Sequence, residues 1–302
     1  MTGQALHVFY TVLGLEDALS SELSLKGFRV EGKLPSRVLA RGRGPWPRTA
    51  SRVAALAGTS RAQPSTRGIR LALRGAMPRR PPCRVEGRVH GGCYPGRMLE
   101  RVAAREAERR GCGEGLLLVD YFCREGLLLV GVEEARLWRG RRAYYGGWHP
   151  ATLNPLIAAA LPFIAGVTAG TLLDPLCGAA TIPVESWMSA GVEGLCSDYR
   201  EEYVARARGL VKRLRAPVSV FAADVFDHPS RRVDLVATDP PRRSVAVHVK
   251  LAAAAARLGR RAAIVTPYPR LVSEAVGGEV AVRTFQGGVR VYVVVGRGDA
   301  TG

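Results

Sequence analysis

Apolar and polar positions follow different rhythms in the two halves of the chain. The first apolar run, HVFYTVL from His7, is β-prone. The next stretch, GLEDALSSELSLKGF, puts Leu15, Ala18, Leu19 and Leu23 at helical spacing, with Gly27 as the stop. FRVEG reads as a second strand. Pro and Gly then become frequent, as in RGRGPWPR and GAMPRRPPCR, and the latter, residues 75–84, predicts a subdomain boundary. Residues 98–111, MLERVAAREAERRG, predict an amphipathic helix ended by Gly111. GLLLVDYFCREGLLLVGVEE reads as two strands around a turn at residues 124–126, and its repeated GLLLV is too short to signal a solenoid. RRAYYGGWHP, residues 141–150, has the look of a linker.

The second half opens with a helix, PLIAAALPFIAG. The apolar runs TLLD, EGLCSD, VSVFAAD, VDLVATD and AAIVTP then alternate with helical segments, one of them around LAAAAARLG. This is the pattern of a mostly parallel sheet covered by helices on both faces. The last two runs, VAVRTF and VRVYVVVG, are separated only by residues 286–288, too short for a parallel crossover, so they form an antiparallel hairpin. The expected fold class is α/β: a C-terminal Rossmann-like sheet of five parallel strands with a terminal hairpin, preceded by an N-terminal α+β region. Five parallel strands plus a hairpin also set this sheet apart from that of a dinucleotide dehydrogenase.

The composition, 47% hydrophobic and 23% charged, supports a packed core over 302 residues and argues against disorder. No run approaches the ~18 unbroken apolar residues of a membrane span. The opening MTGQALHVFYTVLGLEDAL has no basic region ahead of an apolar core, so the expected location is the cytoplasm, with no membrane partner.

Charge changes the picture more. Lys plus Arg exceed Asp plus Glu by 44 − 26 = 18. Residues 1–150 hold 26 basic and 13 acidic side chains, a net of +13, against 18 − 13 = +5 for the rest. Between Glu31 and Glu86 stand 13 basic residues and no acid. A polyanion is the natural partner for such a field, nucleic acid before any other. A generic Arg bias or a heat-adapted surface is the plainer explanation, and the single Asn, Asn154, fits heat adaptation. The six cysteines form no CxxC pair, which leaves a zinc site without support. Buried thiols are the expectation, and disulfides are the alternative in a hyperthermophile, with pairings that sequence cannot assign.

Four of the second-half strands end in Asp: Asp174, Asp198, Asp224 and Asp239. Ligands of open α/β sheets bind outside the carboxyl ends of the strands. Carboxylates gathered there repel one another unless something occupies them. DPLCGAATIPVES follows the first of these strands, and its Gly178 lets backbone approach a ligand at a helix N-terminus. Asp198 lies 198 − 174 = 24 residues on, close to the offset of a ribose-binding acid, and Asp224 suits an adenine amino group. Neither GxGxxG nor a Walker lysine is present. Each Asp taken alone reads equally as a helix cap or turn residue. Asp239 opens TDPP, where Pro240 and Pro241 make a rigid turn that presents only acceptors. Such a turn suits the exocyclic amine of a base: it orients the hydrogens and turns the nitrogen lone pair toward an electrophilic methyl.

These motifs resemble those of the THUMP-containing tRNA guanine-N2 methyltransferases of archaeal type. DPLCGAATIPVES is similar to the family's first motif, TDPP to its amino-methyltransferase motif, and HPATLNPLIAAAL to the segment before its methyltransferase domain. FYTVLGLEDALSSEL resembles the N-terminal ferredoxin-like subdomain, and residues 85–140 more loosely the RNA-binding THUMP domain. The resemblance implies residues 1–80 as ferredoxin-like, 81–140 as THUMP-like, 141–150 as linker and 151–302 as methyltransferase. It implies S-adenosylmethionine as cofactor and tRNA as partner, with methyl transfer to a guanine N2 near position 6 or 10. IPVE is similar to the first group and TDPP to the second, so the position stays open, as does the oligomeric state. Asp174, Leu176, Cys177, Gly178 and Thr181 would surround the methionine part of the cofactor. Asp198 would hold ribose, Asp224 would face adenine, and Asp239, Pro240 and Pro241 would hold the amine. The family has an aromatic residue after the prolines, where this chain has Arg242 and Arg243. Arg242 is expected to stack on the flipped base through its guanidinium plane. Two alternatives are that Tyr268 substitutes, or that the chain binds RNA without catalysis. A methyltransferase acting on ribosomal RNA or DNA is the remaining reading. Arg141, Arg142, Tyr144, Tyr145 and Trp148 are candidates for RNA contact or for a packed linker, and His149 reads as structural.

Overall fold

In the computed structural model, residues 5–138, 142, 152–228, 232–242 and 244–297 are described. In chain order the first elements are β1 (Leu6–Tyr10), α1 (Glu16–Leu25), β2 (Arg29–Leu34), β3 (Arg37–Arg41), β4 (Arg52–Arg61), α2 (Thr66–Ala76), β5 (Pro82–His90), α3 (Gly96–Arg109), β6 (Gly113–Phe122) and β7 (Leu127–Arg136). They are followed by α4 (Pro155–Ala165), β8 (Thr171–Asp174), α5 (Thr181–Ala190), β9 (Glu193–Asp198), α6 (Glu201–Leu214), β10 (Val218–Ala222), β11 (Val233–Thr238), α7 (Val245–Leu258), β12 (Gly259–Thr266), α8 (Pro269–Ala275), β13 (Glu279–Gln286) and β14 (Val289–Arg297). Two compact units emerge, and their boundary does not follow the chain. Residues 11–27 and 44–51 belong with 138–302, while 1–10, 28–43 and 52–137 form the other unit.

The first unit is a seven-stranded sheet in the order β2-β3-β1-β4-β7-β6-β5. All neighbours are antiparallel except β5 and β6, which α3 connects. Ile69, Leu73, Leu99 and Val102 bury the apolar faces of α2 and α3 against Leu117, Leu128 and Val130. The hairpin read around residues 124–126 is present, with Leu117 opposite Val132. Strands β3, β4 and β5 and helix α2 have no counterpart among the elements expected from the sequence. The Cys83–Cys112 and Cys93–Cys123 disulfides bracket the β5–α3–β6 crossover. Each closes a loop of about 30 residues, which in the chain-entropy picture stabilises by about 3–4 kcal/mol. The expectation of free buried thiols is thus corrected: all six cysteines are paired.

The second unit carries the order β10-β9-β8-β11-β12-β14-β13. Strands β8 to β12 run parallel and β14 is antiparallel to both neighbours, as the sequence predicts. Gly287 and Gly288 turn the hairpin with φ of 57° and 79°, a pair of positive angles that two-residue hairpin turns require. Asn154 caps α4, its Oδ1 accepting from the Leu156 N–H at 2.9 Å, with Pro155 at the first helical position. Leu15 and Ala18 of α1 join Leu156, Ile157 and Leu161 of α4 in one core.

Two fully buried carboxylates tie the early segments into this unit. Glu22 of α1 accepts from the Arg48 N–H at 2.6 Å, the Thr49 N–H at 2.8 Å and the Thr49 hydroxyl at 2.7 Å, and pairs with Lys26 at 2.9 Å. Glu185 of α5 takes Arg48 and Arg142, each at 2.9 Å. Arg142 is 4% exposed, so of its two readings the packed one holds. Arg141, Tyr144, Tyr145, Trp148 and His149 lie outside the described residues.

Removing one partner of a buried ion pair leaves the other charge desolvated, at a cost of about 3–5 kcal/mol. Glu185→Ala is therefore expected to lower the unfolding free energy by that amount in urea titration. A loss below about 1 kcal/mol would show that the two arginines do not depend on it.

Candidate functional site

The sheet order of the second unit reverses between β8 and β11. A crevice opens at such a point beyond the carboxyl ends of the strands. Asp174, Asp198 and Asp239 sit at or just after the ends of β8, β9 and β11, and Asp224 follows β10 by two residues.

Asp174 is 3% exposed, and its Oδ1 accepts from the Leu176 N–H at 3.2 Å. Burial pushes its carboxyl up to about 7, and the charges of Asp239 and Asp198 push the same way, against the Leu176 N–H and the Thr238 hydroxyl. Asp239 is partly exposed at its rim, yet crowded enough that desolvation also raises it to about 7, with the Arg242 charge pulling down. Two neighbouring acids therefore hold protons into the neutral range. Desolvation is the leading cause for both, and neighbouring carboxylates add to it at Asp174.

Asp198 bridges two loops: Oδ2 accepts from the Gly178 N–H at 3.2 Å and Oδ1 from the Arg200 N–H at 3.0 Å. The loop from β8 to α5 turns through two left-handed residues, Gly178 at φ 50° and Ala180 at φ 59°. For Ala180 this conformation costs about 1–2 kcal/mol, and strain of that size collects at ligand sites. A side chain built on Gly178 would point into open space, so its backbone is approachable. Leu176 is half-buried and Thr181 is buried at the start of α5.

Cys177 departs from its expected role. Its sulfur is bonded to Cys196, its N–H donates to the Ser197 carbonyl at 2.9 Å, and its carbonyl accepts from the Ala180 N–H at 2.8 Å. Its polar groups are committed inside the protein, and the disulfide staples the loop to the strand that carries Asp198. Asp224 is exposed and caps the short turn Val225–Asp227, accepting from the Phe226 N–H at 2.9 Å. The cap reading holds there.

Pro240 is buried, Pro241 exposed and Arg242 half-buried. One guanidinium nitrogen of Arg242, Nη2, is buried with no hydrogen-bond partner among the described residues. Arg243 lies outside the described residues. Three histidines have side-chain partners: His90 on Asp120 at 2.9 Å, His228 on Ser197 at 2.8 Å and His248 on Thr266 at 3.1 Å. Sequence reasoning also missed Tyr199 and Phe226, 60% and 50% exposed on the β9–β10 side. Their signal was position, one residue after Asp198 and two after Asp224.

In the first unit, Arg97, Arg101 and Arg105 repeat every four residues along the exposed face of α3, and Arg67 and Arg70 stand on α2. Among the described residues none of the five forms an ion pair. Among those residues no group of acids, histidines and cysteines is arranged to hold a metal, and no helix is long and apolar enough to cross a membrane.

The family model described as UPF0020, RMKL-like, methyltransferase domain, matches residues 139–243. The second unit carries a methyltransferase domain. The methyl donor of such a domain is S-adenosylmethionine, as the first motif predicts. No curated protein matches the sequence. Among solved structures, TrmN from Thermus thermophilus superposes with a TM-score of 0.71 at 23% identity, over 96% of this chain and 98% of its own. A protein described as a possible methylase from Clostridium difficile gives 0.74 at 13% identity, over 99% of both chains. One described as a predicted N6-adenine-specific DNA methylase from Listeria monocytogenes gives 0.69 at 15% identity, over 96% and 95%. At these identities the likeness is one of fold. The donor set fits the cofactor: buried carboxyls favoured by a nearby cation, and an open backbone approach over Gly178.

The raised acids make stability depend on pH. Folded Asp174 and Asp239 keep protons to about 7, while an unfolded carboxyl loses its proton near 4. Between those values the folded state binds more protons, so their contribution makes stability fall as pH rises from about 4 to about 7 and level off above. Asp174→Asn is expected to flatten that slope in denaturant titrations of the cofactor-free protein. An unchanged slope would mean that Asp174 ionises normally.

Proposed function

We propose that the protein transfers a methyl group from S-adenosylmethionine to the N2 amine of a guanine in tRNA, near position 6 or 10. The observation that carries this reading is the turn Asp239-Pro240-Pro241, which follows β11 where the sheet order reverses, beside Asp174. When bound, S-adenosylmethionine supplies an electrophilic methyl on its sulfonium. Asp174, Leu176, Gly178 and Thr181 line the methionine end, with Cys177 acting through the disulfide that fixes the loop. Asp198 takes the ribose hydroxyls and Asp224 the adenine amine, with Tyr199 and Phe226 beside them as apolar surfaces. The Asp239 carboxylate and the carbonyls of the turn accept the hydrogens of the target amine and aim its lone pair. Holding the amine in line supplies much of the rate. The amine becomes acidic only as the new bond forms, and Asp239, poised near neutrality, accepts the released proton.

The arginine face of α2 and α3, with the +13 charge of residues 1–150, supports tRNA as the partner. A cytoplasmic location belongs to this proposal, and the three disulfides then fit the intracellular chemistry of hyperthermophiles. The same acceptor turn serves any exocyclic amine, so ribosomal RNA and DNA are the competing substrates.

The test is transfer of labelled methyl to unmodified tRNA, followed by nucleoside mapping. The expected product is N2-methylguanosine, with Asp239→Ala lowering the rate at least 100-fold, about 2.7 kcal/mol. Replacing Arg97, Arg101 and Arg105 with Ala should weaken tRNA binding and shallow its salt dependence by roughly 0.7–0.9 for each phosphate no longer neutralised. Label on adenine, on DNA or on no nucleic acid would overturn the assignment.

A further inference from the structure

The position after Pro241 carries no aromatic ring, and the structure offers one from another strand. β11 and β12 are parallel neighbours, with Thr238 opposite Ile264, so their carboxyl ends lie side by side. Asp239 leaves the sheet from β11, and Tyr268 leaves it from β12, two residues past Thr266. The Tyr268 hydroxyl lies 3.5 Å from the Arg242 carbonyl, within hydrogen-bond reach of the turn that would hold the amine. The ring is partly exposed and therefore has surface to offer.

Its orientation is fixed by two further elements. The Tyr268 N–H donates to Thr266 Oγ1 at 3.0 Å, and that hydroxyl bonds His248 Nδ1 at 3.1 Å. His248, fully buried on α7, meets the Tyr268 ring edge-on, with centroids 5.1 Å apart and planes at 78°. A ring held by a strand end and a helix is pre-organised, as a stacking platform must be. Arg242 is placed differently. Among the described residues its Nη2 is buried without a partner, and its charge acts on Asp239, so it serves that acid as a neighbouring cation. Tyr199 and Phe226 follow the other strands, β9 and β10.

We propose that Tyr268 is the aromatic residue against which the target base stacks, supplying from β12 the ring that the position after the prolines lacks. This rests on the reading of the site as a base-amine methyltransferase. A base taken out of its stack loses its neighbours, and an aromatic face next to the amine site restores that contact. His248 and Thr266 act as positioning residues through the ring.

The experiment is single-turnover methyl transfer to unmodified tRNA transcripts by the wild type, Tyr268→Phe, Tyr268→Leu and Arg242→Ala. Affinity for S-adenosylhomocysteine and the melting temperature are measured alongside. Tyr268→Phe keeps the ring and removes the hydroxyl tie, and should stay within about threefold of wild type. Tyr268→Leu should fall roughly 10- to 100-fold, in line with the loss of one stacked base. Both variants should bind S-adenosylhomocysteine within about twofold of wild type. A full rate for Tyr268→Leu would overturn the assignment, as would a Phe variant as slow as Leu, which would make the hydroxyl clamp the whole effect. Loss of S-adenosylhomocysteine affinity in step with the rate would also overturn it. A wild type that transfers to no nucleic acid overturns the underlying reading, an outcome visible without any variant.

Discussion

Three acids share the carboxyl ends of β8, β9 and β11, and the cost of holding them together shapes the rest of the second unit. Two of them, Asp174 and Asp239, keep their protons to about 7 because burial opposes ionisation, with repulsion from the charges of Asp239 and Asp198 adding to the effect at Asp174. The third, Asp198, has two backbone N–H donors, from Gly178 and Arg200. A site with this charge pattern is incomplete alone and favours a ligand carrying positive charge. The covalent staple between Cys177 and Cys196 and the left-handed turn at Gly178 and Ala180 keep the loop in place against that repulsion.

The loop leads into α5, and α5 has its own restraint. Glu185 is fully buried in that helix and takes two arginines, one from residues 44–51 and one from the segment before α4. Glu22 ties α1, which packs on α4, to the same 44–51 segment through the N–H groups of Arg48 and Thr49 and the Thr49 hydroxyl. Segments far apart in the chain thus brace the helix whose N-terminus faces the crevice. Rigid support of this kind is what a site built on positioning needs.

The second sheet was legible because parallel, doubly covered strands are continuous apolar runs, and because four of the five parallel strands have an Asp at or just after their ends. The hairpin followed from a loop too short for any crossover. The first sheet was less legible. β4, RVAALAGTSR, is built largely of small residues and shows no clean alternation; α2 does place Ile69, Ala72, Leu73 and Ala76 at helical spacing, but two glycines and a low share of large apolar residues obscure it. Glu22 and Glu185 read as surface positions, since a buried charge is recognisable only with its partners. Cys177 matched a motif, but its bonds to Cys196, Ser197 and Ala180 needed three dimensions. His248, Thr266 and Tyr268 lie up to 29 residues beyond Asp239 (268 − 239 = 29), and only the β11–β12 pairing brings them together.

On the proposed reading of the site, the crowded carboxyls ionise when a cationic methyl donor binds. Calorimetry of S-adenosylmethionine binding near pH 6.5, repeated in buffers of different ionisation enthalpy, counts the protons exchanged. Net release of a substantial fraction of a proton or more to the buffer is expected, much reduced in Asp174→Asn. Binding with no proton exchanged, or with the same release in that variant, would contradict it.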